Sequence, residues 1–227
     1  MLHFLDDDFP GGHSYGADGP YSDRVHAVPG PAQDQHNRAP RQAVRPDVWL
    51  LGSSGYSAQL AATLGLPLSF AAHLSPENAV PPVELYRERF RPSPVLSEPY
   101  VMVSVGVLAA DDEKEARKQT HAFSHTMLRM FTGRSFLITT PDEADSVYAT
   151  ASAGEREAVD TWMSRVVYGT ADRVTEGVDG VQKATGADEI ILVSEAHSLD
   201  ALIRTTELIA DAFGMPTLAV PSTSPAS

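Results

Sequence analysis

The chain has 227 residues, with 17 basic and 30 acidic side chains and a formal net charge of −13, which argues against a nucleic-acid or anionic-membrane partner. Cysteine is absent, so disulfides, thiolate metal sites and cysteine nucleophiles are excluded. No apolar run approaches the ~18–20 residues that cross a bilayer, and the first residues lack the basic start of a secretory signal, so we expect a cytoplasmic protein.

Three regions follow one another along the chain. Residues 1–46 are rich in proline and glycine and show little hydrophobic periodicity, so we expect an irregular leader. Residues 47–214 alternate apolar runs with helical patterns, and residues 215–227 are expected to form a disordered tail.

Four continuous apolar runs predict strands that are buried on both faces, at residues 48–51, 68–72, 100–108 and 190–193. Helical patterns follow each run, at residues 58–64, 81–90, 113–131, 174–185 and 199–213. Residues 132–155 are poorly periodic and predict an inserted segment with a few helical turns, and Trp162, Val166 and Val167 suggest more helix. Strands that alternate with helices indicate an α/β protein with a parallel sheet.

A Gly/Ser loop joins the first predicted strand to its helix and contains Gly52, Ser53, Ser54, Gly55 and Ser57. A strand-to-helix junction offers free backbone N–H groups and the positive end of the helix dipole to an anion. The hydroxyls suit phosphate oxygens, and the glycines allow close approach. The alternative is an ordinary serine-capped turn, since the loop lacks the lysine of a Walker loop and the spacing of a dinucleotide fingerprint.

The stretch VWLLGSSGYSAQLAATLGLPLSFAAHLSP, with the later segments at residues 109–116, 167–170 and 186–192, resembles the bacterial luciferase-like flavin monooxygenases. The resemblance covers residues 47–214. It implies a (β/α)₈ barrel that binds reduced flavin at the carboxyl ends of its strands.

The resemblance also implies roles for individual residues. Gly52, Ser53, Ser54, Gly55 and Ser57 would hold the phosphate of reduced FMN. His73, at the end of the next strand, would lie near the flavin or the substrate, although a hydrogen-bonded structural histidine is the alternative.

Members of this family use reduced FMN and O₂ to oxygenate a small organic substrate, and a separate flavin reductase supplies the reduced cofactor. Some relatives use the deazaflavin F420 instead. Because the oxygen chemistry belongs to the cofactor, the protein positions it and excludes water.

The chain departs from the family in size. A whole barrel has eight strands and about 250 residues, and the four strands predicted here match its C-terminal half. No catalytic residue can be carried over, so we expect a partial sequence that is weakly active or inactive alone.

Two alternatives remain open. One is a non-catalytic half-barrel that binds flavin or another phosphate ligand and acts through a partner chain. The other is a flavodoxin-like sheet, which strand order would distinguish, because barrel strands pair in sequence. A half-barrel leaves two open edges and an apolar inner face, which predicts a homo-oligomer or self-association.

Two histidines, His121 and His125, are four residues apart on a predicted helix. This spacing can hold a metal ion, but no third ligand accompanies it. We therefore predict a solvated helix face and no metal site. Asp188 and Glu189 precede the last strand, which is the end of a barrel associated with stability.

Overall fold

The computed structural model describes residues 47–133 and 138–215. The predicted leader, residues 134–137 and the tail from residue 216 onward lie outside the described residues. The internal contacts divide the chain between Val48 and Trp49, and the following description concerns the unit that begins at Trp49. Within the described residues, no helix is long and apolar enough to cross a membrane.

One parallel sheet organises the described part of the chain. Its strands are β1 (Leu50–Gly52), β2 (Leu68–Phe70), β3 (Val101–Ala109), β4 (Val167–Gly169) and β5 (Glu189–Ser194). The strands β1, β2 and β3 pair in sequence, and β3 also pairs with β4 and β5. Because Val107 of β3 pairs with both Val167 and Ser194, the last two strands lie on opposite edges of β3.

The helices follow the strands. They are α1 (Gly55–Leu64), α2 (Val80–Arg89), α3 (Glu113–Phe131), α4 (Pro141–Thr150), α5 (Ala153–Met163), α6 (Ala171–Thr185) and α7 (Leu199–Ala212). Local signals set their ends. Gly65 and Gly186 cap α1 and α6 in the left-handed conformation, at φ of 63° and 60°. The side chain of Asp112 caps α3 by accepting a hydrogen bond from Glu115 N at 2.8 Å.

The strand order confirms the prediction of an α/β fold with the parallel sheet of a partial (β/α)₈ barrel. The four predicted strands correspond to β1, β2, β3 and β5, and these pair in the order of the chain. A flavodoxin-like sheet would place later strands on both sides of the first. The flavodoxin-like alternative is therefore wrong for this chain.

One local prediction is also wrong. Val166 and Val167 were expected to continue a helix, but α5 ends at Met163 and Val167 begins the short strand β4. A short apolar run has no distinctive period. Here the free edge of β3 decides the outcome, because Val167 pairs there with Val107.

The two faces of the sheet differ in what covers them. Alternate residues of β3, from Val101 to Val107, pack with residues of α1, α2, α6 and α7 in the apolar core. The intervening residues Ser104 and Gly106 point to the opposite face. We call this opposite face the inner face, because helices cover the outside of a barrel.

Candidate active site at the carboxyl edge of the sheet

The Gly/Ser loop occupies the turn between β1 and α1. Ser54 is the N-cap of α1, and its Oγ accepts a hydrogen bond from Ser57 N at 3.4 Å. A Cβ added to Gly52 would lie 2.1 Å from Ser57 Oγ, so this position requires glycine. The hydroxyl of Ser53 is exposed and forms no hydrogen bond within the part of the chain that the structure describes.

The loop has features of both interpretations that the sequence left open, a phosphate-binding loop and an ordinary serine-capped turn. Ser54 is indeed a helix cap, as in an ordinary turn. The first N–H groups of α1, at Gly55 and Tyr56, have no partner inside the helix by geometry, and they lie beside the exposed hydroxyl of Ser53. A ten-residue helix also contributes the positive end of its dipole. These residues fit a phosphate group.

His73 lies next to this loop, at the end of the neighbouring strand. Ala71 N donates to Gly52 O at 2.9 Å and ties the two strand ends together. His73 Nδ1 and Ser104 Oγ are 2.7 Å apart, and Ser104 Oγ donates to Phe70 O at 3.3 Å. The serine proton is thereby used, so His73 Nδ1 donates and His73 Nε2 is left to accept. Burial lowers the pKa of His73, which favours this neutral form.

Glu195 is the site residue that the sequence analysis missed. It follows β5 directly, is only 4% exposed, and its Oε2 has no hydrogen-bond partner among the described residues. Burial raises the pKa of its carboxyl group to about 7. A Cβ on Gly106 would lie 2.3 Å from Glu195 Oε1, so the glycine makes room for the acid.

These groups share one face and one edge of the sheet. Ser104 and Gly106 are two residues apart on β3 and so point to the same side, about 7 Å apart along the strand. Ser104 bonds to His73, and Gly106 contacts Glu195. The available signal was a carboxylate two residues beyond the apolar run 190–193, at the carboxyl end of a predicted strand, where a barrel carries its chemistry.

A neutral imidazole and a carboxyl group with a pKa near 7 can both exchange protons at physiological pH. Residues with perturbed pKa values at one edge of a cleft are typical of functional sites. The arrangement is therefore suited to binding a phosphate-bearing molecule on one side and to moving protons beside it.

The open inner face of the sheet limits how such a molecule can be held. The cavity beside His73 has a volume of only about 90 Å³, which is too small for a three-ring cofactor. A ring system would have to lie on the inner face, where Leu51 is 70% exposed and Ile191 is 39% exposed. Register places both of these side chains on the same face as Ser104, since Leu51 pairs with Ser69, Ser69 with Met102, and Ile191 with Ser104.

The prediction of a solvated helix face for His121 and His125 is wrong. His121 and His125 are both 4% exposed instead of solvated. Their rings pack against one another and against Tyr148, with centroid distances of 4.8, 4.9 and 6.1 Å. The reason is tertiary, because α4 and α5 cover the helix face that carries them. Among the described residues, no group of three or more His, Asp or Glu side chains could hold a metal ion.

Comparison with known proteins identifies the family. Residues 3–189 match the family of luciferase-like monooxygenases. The chain is 38% identical over 183 residues to the uncharacterized protein YvbT of Bacillus subtilis (strain 168), covering 80% of this chain and 54% of that protein. It is 33% identical over 183 residues to a luciferase-like monooxygenase of Escherichia coli (strain K12), covering 77% and 54%.

A solved structure supports the same assignment. The crystal structure of apo-MsnO8 has a TM-score of 0.69 and 31% sequence identity, covering 82% of this chain and 56% of that one. The chain thus spans about half the length of the curated relatives it matches. The parallel sheet, the site at its carboxyl edge and these matches lead to one conclusion: the chain belongs to the family of luciferase-like monooxygenases.

Proposed function

We propose that this chain supplies the phosphate-holding half of a flavin-dependent monooxygenase that uses reduced FMN and O₂ to oxygenate a small organic substrate. The observation that carries the proposal is the meeting of three features at one sheet edge: the serine loop, His73 and Glu195. Family membership supports the reaction class. F420 is the alternative cofactor, and a separate flavin reductase is the proposed source of reduced FMN.

Each residue has a proposed task. Gly52 and Gly55 shape the loop, while Ser53, Ser54 and Ser57 with the first N–H groups of α1 hold the phosphate. His73, with Nε2 free to accept, orients the substrate or the cofactor ring. Glu195 donates or accepts a proton beside the cofactor. Its side chain is buried and therefore shielded from water. The cofactor, when bound, supplies the activation of O₂.

The proposal extends to the assembly. Leu51 and Ile191 leave apolar surface on the inner face, and β1 has a neighbouring strand on one side only among the described residues. An apolar face and an open sheet edge favour association. We therefore propose that the chain self-associates or pairs with a complementary chain in the cytoplasm.

Anaerobic titration with reduced FMN, followed by exposure to O₂, tests the function. We expect weak binding by the chain alone, with a dissociation constant nearer 1 mM than 1 µM, because the inner face is open. Reduced riboflavin, which lacks the phosphate, should bind more weakly still, and the same titration with reduced F420 decides between the cofactors.

Variants make the test specific to the loop. Ser53→Ala should reduce the difference in binding affinity between reduced FMN and reduced riboflavin. It should have little effect on the stability of the fold, since the Ser53 hydroxyl is exposed and forms no hydrogen bond with any described residue. Thr63→Ala, at the far end of α1, is the matched control. If FMN and riboflavin bind equally, the loop does not hold the phosphate. If no reduced flavin binds at ~1 mM, the isolated chain is not an enzyme of this class.

Light scattering after size-exclusion chromatography tests the association. Leu51→Asp places a charge on the inner face and should shift the chain toward the monomer. Leu202→Asp, at a residue that is 40% exposed on α7, is the matched control and should not. A wild-type chain that is wholly monomeric would contradict the proposal.

A further inference from the structure

A cavity of about 590 Å³ lies among α3, α4 and α5. Its volume is within the range of small-molecule sites, ~300–1,000 Å³. Leu128, Val147 and Val159 form much of its apolar wall, and His125, Arg129 and Thr139 contribute polar groups. None of the residues proposed above to hold flavin lines it.

Two buried polar atoms in the wall have no partner. His125 is 4% exposed and Thr139 is 2% exposed, and within residues 47–133 and 138–215 neither His125 Nε2 nor Thr139 Oγ1 forms a hydrogen bond. Buried polar atoms without partners are uncommon, because each loses its hydration without compensation. Both residues line the cavity, so a small rotation of either side chain would bring its unpartnered atom to a molecule inside.

The charges around the cavity indicate the kind of molecule. Arg129 lies one helical turn beyond His125, is partly buried, and forms no ion pair with any residue the structure describes. The one carboxylate in the wall, Glu155, is engaged in the N-terminal cap of α5, where Ser152 N and Ser152 Oγ donate to its Oε2 at 2.9 and 2.8 Å. The wall thus presents a cation and a hydroxyl donor beside apolar surface.

We propose that this cavity binds a small organic carboxylate with an apolar body. The carboxylate pairs with Arg129 and accepts hydrogen bonds from Thr139 Oγ1 and from the protonated Nε2 of the neutral His125 ring. The apolar body lies against Leu128, Val147 and Val159. An arginine is the side chain best suited to a carboxylate, because its planar fork matches the two oxygens.

Isothermal titration of the full chain with decanoate tests this, with decanol as the matched neutral ligand. We expect decanoate to bind at least tenfold more tightly than decanol. Arg129→Gln should remove most of that preference. Equal binding of the two ligands, or no decanoate binding at ~1 mM, would overturn the proposal.

A further variant distinguishes a ligand site from a void that only holds water. Thr139→Val keeps the shape but removes the unpartnered hydroxyl, so the free protein should become slightly more stable while decanoate binds severalfold more weakly. If stability changes and decanoate affinity does not, the hydroxyl does not contact the ligand and the proposal fails.

Ala158→Phe would fill the cavity from α5 and should abolish binding, whereas Ala149→Phe, on the exposed side of α4, should leave it unchanged. Equal decanoate binding by these two variants would show that the ligand lies elsewhere. Should the larger side chain unfold the protein, the Arg129 and Thr139 variants still decide the question.

Discussion

The sheet edge and the three-helix segment (α3–α5) each bury one titratable side chain without a partner for one of its polar atoms, but with opposite consequences. Burial raises the pKa of Glu195 to about 7, so the fold favours a proton there. Burial, with a smaller effect from His121, lowers the pKa of His125 to about 4, so the fold opposes a proton there. In both cases the neutral form is favoured, because the apolar surroundings disfavour charge.

The comparison shows how one physical cause produces two pH responses. Glu195 destabilises the fold as pH rises from 4.5, the usual value for an unfolded glutamate, to about 7. His125 destabilises the fold as pH falls from 6.5 to about 4. Near pH 5.5, which lies between the folded-state pKa values of about 4 for His125 and about 7 for Glu195, both groups are mostly neutral in the fold.

The largest expected effect is at the sheet edge. Above pH 7, Glu195→Gln should stabilise the chain by roughly 3 kcal/mol, since it removes the cost of ionising a buried carboxyl group. Near pH 4.5 the variant and the wild type should differ little. Urea denaturation at pH 4.5, 6 and 8 measures this, and a difference that does not grow with pH would show that Glu195 is hydrated.

The three-helix segment should respond in the opposite direction. The wild type should lose roughly 2–3 kcal/mol relative to His125→Phe as pH falls from 7 to 4, because the unfolded histidine takes up a proton that the fold resists. His121 and Asp145 face the same ring cluster, and the charge of Asp145 offsets part of the lowering of the His125 pKa. If the free energy of unfolding of the wild type and of His125→Phe depends on pH in the same way, His125 is not a buried neutral imidazole.

A glycine in each region tests the packing. Gly106→Ala should cost roughly 1–3 kcal/mol, because its Cβ would overlap the Glu195 carboxyl group. Gly154→Ala in α5 meets nothing within 4 Å and should stabilise by about 0.5 kcal/mol. Thermal denaturation measures both, and a neutral Gly106→Ala would mean that Glu195 can move aside.

The smallest expected effects concern the hydrogen-bond partners of the histidines. Ser104→Ala removes the buried partner of His73 and should cost about 1 kcal/mol. Asp145→Asn changes a carboxylate that is 62% exposed beside His121 and should cost less than about 0.5 kcal/mol. Proton NMR titration of the His73 and His121 rings shows whether each ring has lost its partner. If the two variants lose equal folding free energy, the distinction between the buried and the exposed partner is wrong.

Much of the fold was predictable because it depends on local pattern. The run from Tyr100 to Leu108 predicted β3. The helical patterns at residues 58–64, 113–131 and 174–185 predicted α1, α3 and α6. The junction at Val166 and Val167 was not predictable, because an apolar pair fits either period until an open strand edge is present.

The candidate site was predictable only in part. The Gly/Ser loop is contiguous in sequence, and its geometry follows from a strand that meets a helix. Its role with phosphate stays a prediction, as does the role of His73. Glu195 was missed because a single acid after a strand carries no spacing, and its importance arises from Gly106, which is 89 residues earlier in the chain.

The sequence by itself determined the alternation of parallel strands and helices, their caps and the family, because these depend on neighbouring residues and on hydrophobic periodicity. Only the tertiary structure decided that His121 and His125 are buried, that Glu195 lies against β3, and that a cavity lies among α3, α4 and α5. Burial depends on which surfaces meet, and that is settled by contacts between residues far apart in the chain.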